Sequence, residues 1–433
     1  MSGNLYDRLS RISALAPVRR REPLLRTDSQ DQNNILAALN AEIGRNRYGE
    51  YLVSRQWYAT PEMFEASSEV VRLLLQSKSQ LPERAYQTAV DPSKWLFLDT
   101  ETTGLAGGTG TYAFLVGLAW WESGGIRTEQ LFMRDHEEER SLLLEVAQRL
   151  NERPVIVTFN GKCFDWPLLQ NRFRMTRQIE VPGLAAHLDF LHPARQFWQL
   201  QLGSARLSNL EQYVLGVEAL GWSRQNDIDS SRIPEFYFDF LRTGAFEGIA
   251  GVFRHNRMDL RGLAALASRI FALLANLNIL EKQQPLELYS ISRYLNRRGE
   301  RLKARQLCEW SVDRGLPEPI ARRAMHEAAN LAKRDGDFGR AVELWRELAG
   351  SSDKSFEALE QLAIYYERRK RNTFEAARLT RLALSELRRA YRLGLIRSEH
   401  HQQLSEQFNR RLSRLERREN QMQICDFILQ SGR

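Results

Sequence analysis

Sulfur is scarce in this sequence: three cysteines, Cys163, Cys308 and Cys425, are scattered over 433 residues. An odd, dispersed set makes neither a disulfide framework nor a CxxC zinc site, so a reducing, cytoplasmic setting is expected. Long apolar runs are missing too. The most apolar stretch, Ile270 to Leu280, is too short to span a bilayer and contains Asn276 and Asn278. The N-terminal stretch has no apolar core of signal-peptide type, and no membrane partner is expected. A nucleotide-binding loop is absent as well. Gly104, Gly107, Gly108 and Gly110 cluster, but no GK[ST] follows and the next segment reads as a strand. The cluster reads as a turn between strands whose backbone can brush a substrate. Negative charge is in deficit, with 54 Asp and Glu against 62 Lys and Arg and a net charge of +8. That balance leans towards a polyanionic partner, and the preference for Arg over Lys suits phosphate.

The remaining composition is that of a globular protein, 27% charged and 43% hydrophobic, at a length that holds two or three domains. The pattern centres on Trp95 to Tyr112, WLFLDTETTGLAGGTGTY. Trp95, Leu96, Phe97 and Leu98 read as a strand buried within a sheet. Asp99 and Glu101 follow with one residue between them, so both carboxylates point to one face. Such a pair repels itself unless a cation lies between, and Mg2+ or Mn2+ suits carboxylate oxygen. Alone, a D-x-E at a strand end reads first as solvated surface. Further acids decide it.

Residues 1–33, with Arg19-Arg20-Arg21 and a polar DSQDQNN run, are expected to form a flexible basic arm. Residues 34–93 are expected to be a helical segment packed on the core. Within it Asn34 caps a helix carrying Ile35, Leu36, Leu39 and Ile43, and a second helix after Pro61 carries Val70, Val71, Leu73, Leu74 and Leu75. A central domain over 94–282 alternates strands and helices. Its strands lie at 96–99, 112–121, around 130–133, at 155–159 and at 187–191, with helices over 137–150 and 165–173. Residues 286–433 read as all-helical. Ala304, Ala341 and Ala377 recur at intervals of 37 and 36 residues, and Gly299 and Gly336 precede the first two in turn-like segments. This period is close to that of tetratricopeptide (TPR) repeats, with a plain helical bundle as the alternative. An Arg-rich helical tail closes the chain.

Two more acids complete a set. Asp165 ends NGKCFD, after the strand at 155–159, and so comes to the same sheet edge as Asp99. In FRHNRMDL, His255 and Asp259 stand four apart, on one face of a helix. These acids in this order resemble the DEDD 3'-to-5' exonucleases of the ribonuclease-H-like superfamily. The strings DTETTGLAGGTGTYAFLVG and HLDFLHPAR resemble its bacterial YprB-like branch. His255 precedes Asp259 by four residues, the interval of Tyr-containing members, where His-containing members usually use five. The resemblance implies an α/β fold, a ribonuclease-H-like mixed β-sheet flanked by helices, here followed by the all-α TPR-like region. It also implies a divalent-metal-dependent nuclease hydrolysing phosphodiester bonds by a two-metal mechanism. Asp99, Glu101, Asp165 and Asp259 would hold two Mg2+ or Mn2+ ions, and His255 would orient or deprotonate the attacking water.

The candidate nucleic-acid contacts are Thr102, Gly104, Tyr112, Asn160, Phe164 and Arg254. Phe164, Tyr112 and Trp166 could stack bases, though core packing serves them equally, and Arg195, Arg206, Arg254 and Arg257 lie near the site in sequence. His187, Asp189 and His192 read as packing beside the site, with metal ligation as the alternative. The expected partners are single-stranded or end-frayed DNA or RNA and a protein on the helical repeats. The rival function is a non-catalytic adaptor that uses both parts only for docking.

Overall fold

Seven strands form one mixed sheet: β1 (Ala41–Asn46), β2 (Gly49–Ala59), β3 (Trp95–Thr102), β4 (Ala113–Glu122), β5 (Gly125–Phe132), β6 (Val155–Thr158) and β7 (Ala186–Asp189). The computed structural model describes residues 35–59, 67–75, 82–104, 110–216, 221–318, 320–351 and 355–431, with side chains of the last helix placed to residue 421. The expected basic arm, Asn34, Gly107, Gly108 and the Cys425 side chain lie outside them. The chain divides into two units, one holding the described residues up to His192 with Ala205–Ala275, the other Pro193–Ser204 with the residues from Asn276 on.

The sheet order is β1-β2-β5-β4-β3-β6-β7. The β3–β6 and β6–β7 pairs are parallel and the rest antiparallel. β3 is central because it is apolar on both faces: Trp95, Leu96, Phe97 and Leu98 are at most 1% exposed. Each such side chain contributes about 1.5–3 kcal/mol on burial. Beyond Leu98 the strand turns polar, and its pairing with β4 shifts register between Glu101 and Thr102.

Residues 34–93 correct the sequence reading. A short helical turn does cover residues 35–39, but Asn40 takes a left-handed φ of +46° and ends it. Ile43 therefore sits on β1, and β1 and β2 form a hairpin that extends the sheet. The apolar spacing fitted a helix, but a turn that reverses the chain interrupts the period. Downstream, α1 (Ser68–Leu75) matches the expected second helix, and α2 (Glu83–Val90) follows it.

The other helices of this part are α3 (Glu139–Glu152), α4 (Asp165–Thr176), α5 (Leu191–Leu202), α6 (Ile233–Thr243) and α7 (Glu247–Ala275). The long α7 packs on β3, β4 and β5. It buries Phe253, Leu260, Leu263, Ala264, Ala267 and Ile270. Glu129 on β5, its side chain 1% exposed, is held by Arg55 of β2 at 2.6 Å and Arg149 of α3 at 2.9 Å. A buried carboxylate is tolerated where it is paired and hydrogen-bonded, and this one fastens α3 to the sheet.

The second unit is all-helical. Its eight helices among the described residues are α8 (Leu277–Glu281), α9 (Pro285–Arg297), α10 (Arg301–Asp313), α11 (Ile320–Arg334), α12 (Phe338–Gly350), α13 (Phe356–Arg368), α14 (Thr373–Arg392) and α15 (Ser398–Ser431). From α9 onward each helix packs on the next. The recurring alanines Ala304, Ala341 and Ala377 are fully buried, where small side chains let helices approach. Gly299 and Gly336 take φ of +86° and +83° in their turns. The third turn lacks glycine, and Arg371 adopts φ +51° there. It stands five residues before the buried Ala376, as the glycines stand before Ala304 and Ala341. Pro193–Ser204, most of α5 and the turn after it, belongs to this unit: Trp198 Nε1 donates to Glu287 Oε1 at 2.9 Å, and Phe197 packs edge-on to Tyr294 at 5.0 Å.

Candidate active site

A cavity of about 700 Å³ opens at the polar end of β3, and Asp99, Glu101, Asp165, His255 and Asp259 all line it. Three separate segments supply them. Asp99 and Glu101 share a strand face; Asp165 is the first residue of α4; His255 and Asp259 share a face of α7. Asp165 is fixed to the neighbouring strand residue, accepting from the Thr100 N–H at 3.0 Å and from Thr100 Oγ1–H at 2.6 Å. Its place in the first turn of a helix also favours a negative charge.

Asp99 faces Gly117 of β4 across the sheet. The absent side chain at Gly117 makes room for Asn256 of α7, since a Cβ there would lie 2.1 Å from Asn256 Oδ1. The fully buried Asn256 uses that room: its Nδ2 donates to Asp99 Oδ2 at 2.8 Å, and its Oδ1 accepts from Gln130 Nε2 at 2.9 Å. Gln130 Nε2 also reaches the Phe253 carbonyl at 2.8 Å. This chain of amides sets the depth of α7 over the sheet, and with it the height of His255 and Asp259 above Asp99.

Like charges dominate the cavity. Burial, then repulsion from Asp259, Glu101 and Asp165, pushes the Asp99 carboxyl well above the usual range, and Glu101 is raised by burial, Asp259 and Asp165. Burial also raises Asp165, to about 6, against the lowering effect of its Thr100 hydrogen bonds. His255 responds oppositely. Burial would lower it, but the bond to Asp227 and the charge of Asp259 outweigh that and hold it above its ordinary value. Its Nδ1 is 2.8 Å from Asp227 Oδ2, leaving Nε2 to face Asp259 Oδ2 at 3.5 Å and Ser230 Oγ at 3.3 Å. That tautomer presents a basic nitrogen to the cavity.

Among the described residues no three His, Cys, Asp or Glu side chains close into a ready metal-binding group. Three of the four candidate ligands have a protein donor instead: Thr100 for Asp165, Asn256 for Asp99 and Arg224 for Asp259. The donor chemistry nevertheless fits a hard divalent cation, for the acids offer only oxygen, and burial with mutual repulsion raises Asp99 and Glu101.

The other expected contacts divide. Thr102, Gly104, Asn160 and Phe164 line the cavity, with Phe164 54% exposed. Thr102 Oγ1 is bonded to the Gly104 carbonyl, and Asn160 takes φ +74° at the turn leading to Asp165. Tyr112 and Arg254 do not line it. Tyr112 packs against Arg172 and His136, its ring centroid 3.9 Å from the guanidinium carbon and 4.4 Å from the imidazole centroid, and Arg254 bonds to the Asn226 carbonyl. Trp166 packs partly buried against the core. Asp189 caps the backbone N–H groups of Asn160, Lys162 and Leu191, and His187 bonds Thr158 while burial drives it down to about 3.

Sequence reasoning did not find Asn256, Asp227 or Arg224. Asp227 and Arg224 lie on the segment 221–230, which runs along α7. Trp222 stacks on Arg261, Arg224 pairs with Asp259, Asp227 holds His255, and Ile228 fills the space over Gly251. No periodic signal marks such a strap. Only the polar run RQNDIDSS hints that it is not core.

Residues 96–271 match the model of the RNase_H superfamily. The chain is also similar to the uncharacterized protein YprB of Bacillus subtilis (strain 168), 27% identical over 327 residues that make up 75% of this chain and 76% of that protein. Residues 96–271, which carry strands β3 to β7 of the mixed sheet and leave the β1–β2 hairpin outside the match, are thus an RNase_H-superfamily domain.

Proposed function

We propose that this chain is a divalent-metal-dependent nuclease, and specifically a 3'-5' exonuclease that hydrolyses single-stranded or frayed nucleic acid by a two-metal mechanism. Membership of the RNase_H superfamily supports nuclease-type chemistry. The observation that carries the finer reading is four acids from three distant segments lining one cavity beside a histidine aligned by its own aspartate. A cavity of this size has room for a strand end or a splayed nucleotide, and exposed Phe164 at its wall offers a face for a base.

Asp99, Glu101, Asp165 and Asp259 would hold Mg2+ or Mn2+. Such ions, when bound, activate water and offset charge on the leaving oxygen. The chain's own residues do the rest. Thr100 and Asn256 keep Asp165 and Asp99 turned inward. His255 Nε2 takes the proton of the water whose oxygen bonds to phosphorus, while Asp227 steadies the resulting imidazolium through Nδ1. The P–O3' bond breaks, the 3' oxygen gains a proton from solvent, and a nucleoside 5'-monophosphate leaves.

End-labelled single- and double-stranded DNA and RNA, incubated with Mg2+ or Mn2+ and with each end blocked in turn, test this reading. Stepwise loss from free 3' ends is expected, abolished by a 3' block. Asp259→Asn should cost at least about 10²-fold, the scale of one lost preorganised electrostatic contact. Equal activity of variant and wild type would remove the nuclease assignment. Internal cutting that ignores the 3' block would remove the exonuclease part.

A further inference from the structure

The cation already inside this site is a guanidinium. Arg224, its side chain 15% exposed, is shared by three carboxylates. Its Nη2 pairs with Asp259 Oδ1 and lies 2.7 Å from Glu211 Oε1, its Nε pairs with Glu211 Oε2, and its Nη1 is 2.9 Å from Asp227 Oδ2. Glu211 lies beneath α7, where a Cβ on Gly262 would meet its Oε1. Trp222, two residues before Arg224, stacks on Arg261, whose other contact is the Tyr58 ring at 3.9 Å. The strap is therefore anchored on both sides of the arginine. In contrast, among the described residues no Lys or Arg is ion-paired with Asp99, Glu101 or Asp165.

The acid cluster is thus asymmetric. One side, Asp99 with Glu101 and Asp165, carries repelling carboxyls and no internal cation. On the other side, one oxygen of Asp259 is already neutralised by a group that is always charged. We propose that Arg224 is a built-in counter-cation of Asp259, a positioning residue that competes with the divalent ion using that carboxylate. The inference rests on the metal-nuclease reading. It follows that the two ions bind unequally: an ion that draws on Asp259 must displace or share with Arg224, while one held without Asp259 meets no cationic competitor among the described residues.

Mn2+ binding to the full chain without substrate, followed by calorimetry and by the electron paramagnetic resonance of free Mn2+, tests this. Wild type should show one tighter step and a second that is much weaker or absent. Arg224→Gln should strengthen the second step on the order of tenfold and leave the first within about twofold, a coupling of ordinary size. Arg224→Lys, which keeps charge but loses the planar fork, should fall between. Mn2+ should also raise the melting temperature of Arg224→Gln more than that of wild type, because the variant's ion-free acids lack their cation. Glu211→Gln supplies an opposite sign: with one acceptor gone, Arg224 holds Asp259 more closely and the second step weakens. A purely structural clasp would give weaker binding in Arg224→Gln, and that result, or unchanged affinities, overturns the proposal while leaving the nuclease reading intact. No Mn2+ binding by wild type overturns both.

Discussion

Asp99→Asn should melt at a higher temperature than wild type when free of divalent ions, and yet lose at least about 10²–10³-fold in hydrolysis. The two effects have one cause. Asp99 is buried among Glu101, Asp165 and Asp259, and its carboxyl is raised because ionising it there is unfavourable. The amide has nearly the same shape and can still accept from Asn256 Nδ2, so the hydrogen bond is retained while the repulsion disappears. A residue that destabilises the fold and is kept in a functional geometry is the expected signature of a site, not of a core. The sign with pH follows. A carboxyl whose folded pKa exceeds its unfolded value weakens the fold above that folded pKa, and the penalty fades as pH falls towards the ordinary range near 4. The stability advantage of the variant should be largest near pH 8 and shrink towards pH 4. Thermal melts across that range check it, and a variant less stable than wild type at every pH would contradict the electrostatic argument.

Gly117→Ala should disable the protein from a position that no substrate touches. The new methyl would have to occupy the space of Asn256 Oδ1, 2.1 Å away, with Cγ and Nδ2 at 2.7 Å. Asn256 is wholly buried and cannot swing out to solvent. Either α7 rises from the sheet or Asn256 releases Asp99 and Gln130, and both outcomes move His255 and Asp259 relative to Asp99. Overpacking of this kind costs about 1–3 kcal/mol, and a misplacement near 1 Å costs about 10²-fold in rate. Pairing the change with Asn256→Ala should recover much of the stability and little of the activity, because space returns without the amide. Activity of Gly117→Ala within about twofold of wild type would contradict the role given to this contact.

The acids were legible in the sequence because each sits in a periodic element. The alternation of a strand puts Asp99 and Glu101 on one face, and the spacing of a helix does the same for His255 and Asp259. Asp165 was legible from the strand-turn-helix around it. What supports these residues was not. Asn256 looks like any polar residue on a helix, and its importance depends on a glycine 139 positions earlier in the chain, across the sheet. Arg224 and Asp227 belong to a strap without periodicity, positioned by contacts with α7. The hairpin β1–β2 was misread for a related reason: Ile35, Leu36, Leu39 and Ile43 satisfy a helical spacing that the left-handed Asn40 breaks, and a single non-glycine residue rarely announces such a turn. In the helical unit, burial at Ala304, Ala341 and Ala376 follows the repeat, one residue before the Ala377 read from the sequence, whereas the use of Arg371 in place of a turn glycine leaves no trace in composition.

The proposed function requires carboxylates from distant segments to converge on divalent cations. Asp165 tests it most directly, because it reaches the site from a different strand and helix than Asp99 and Glu101. The measurement is a Mn2+ binding isotherm of wild type against Asp165→Asn, a change that keeps an acceptor for Thr100. Saturable binding by wild type, weakened at least about tenfold in the variant, is the expected result, on the scale of a lost metal contact. No binding by wild type, or equal affinity in both proteins, would contradict the claim.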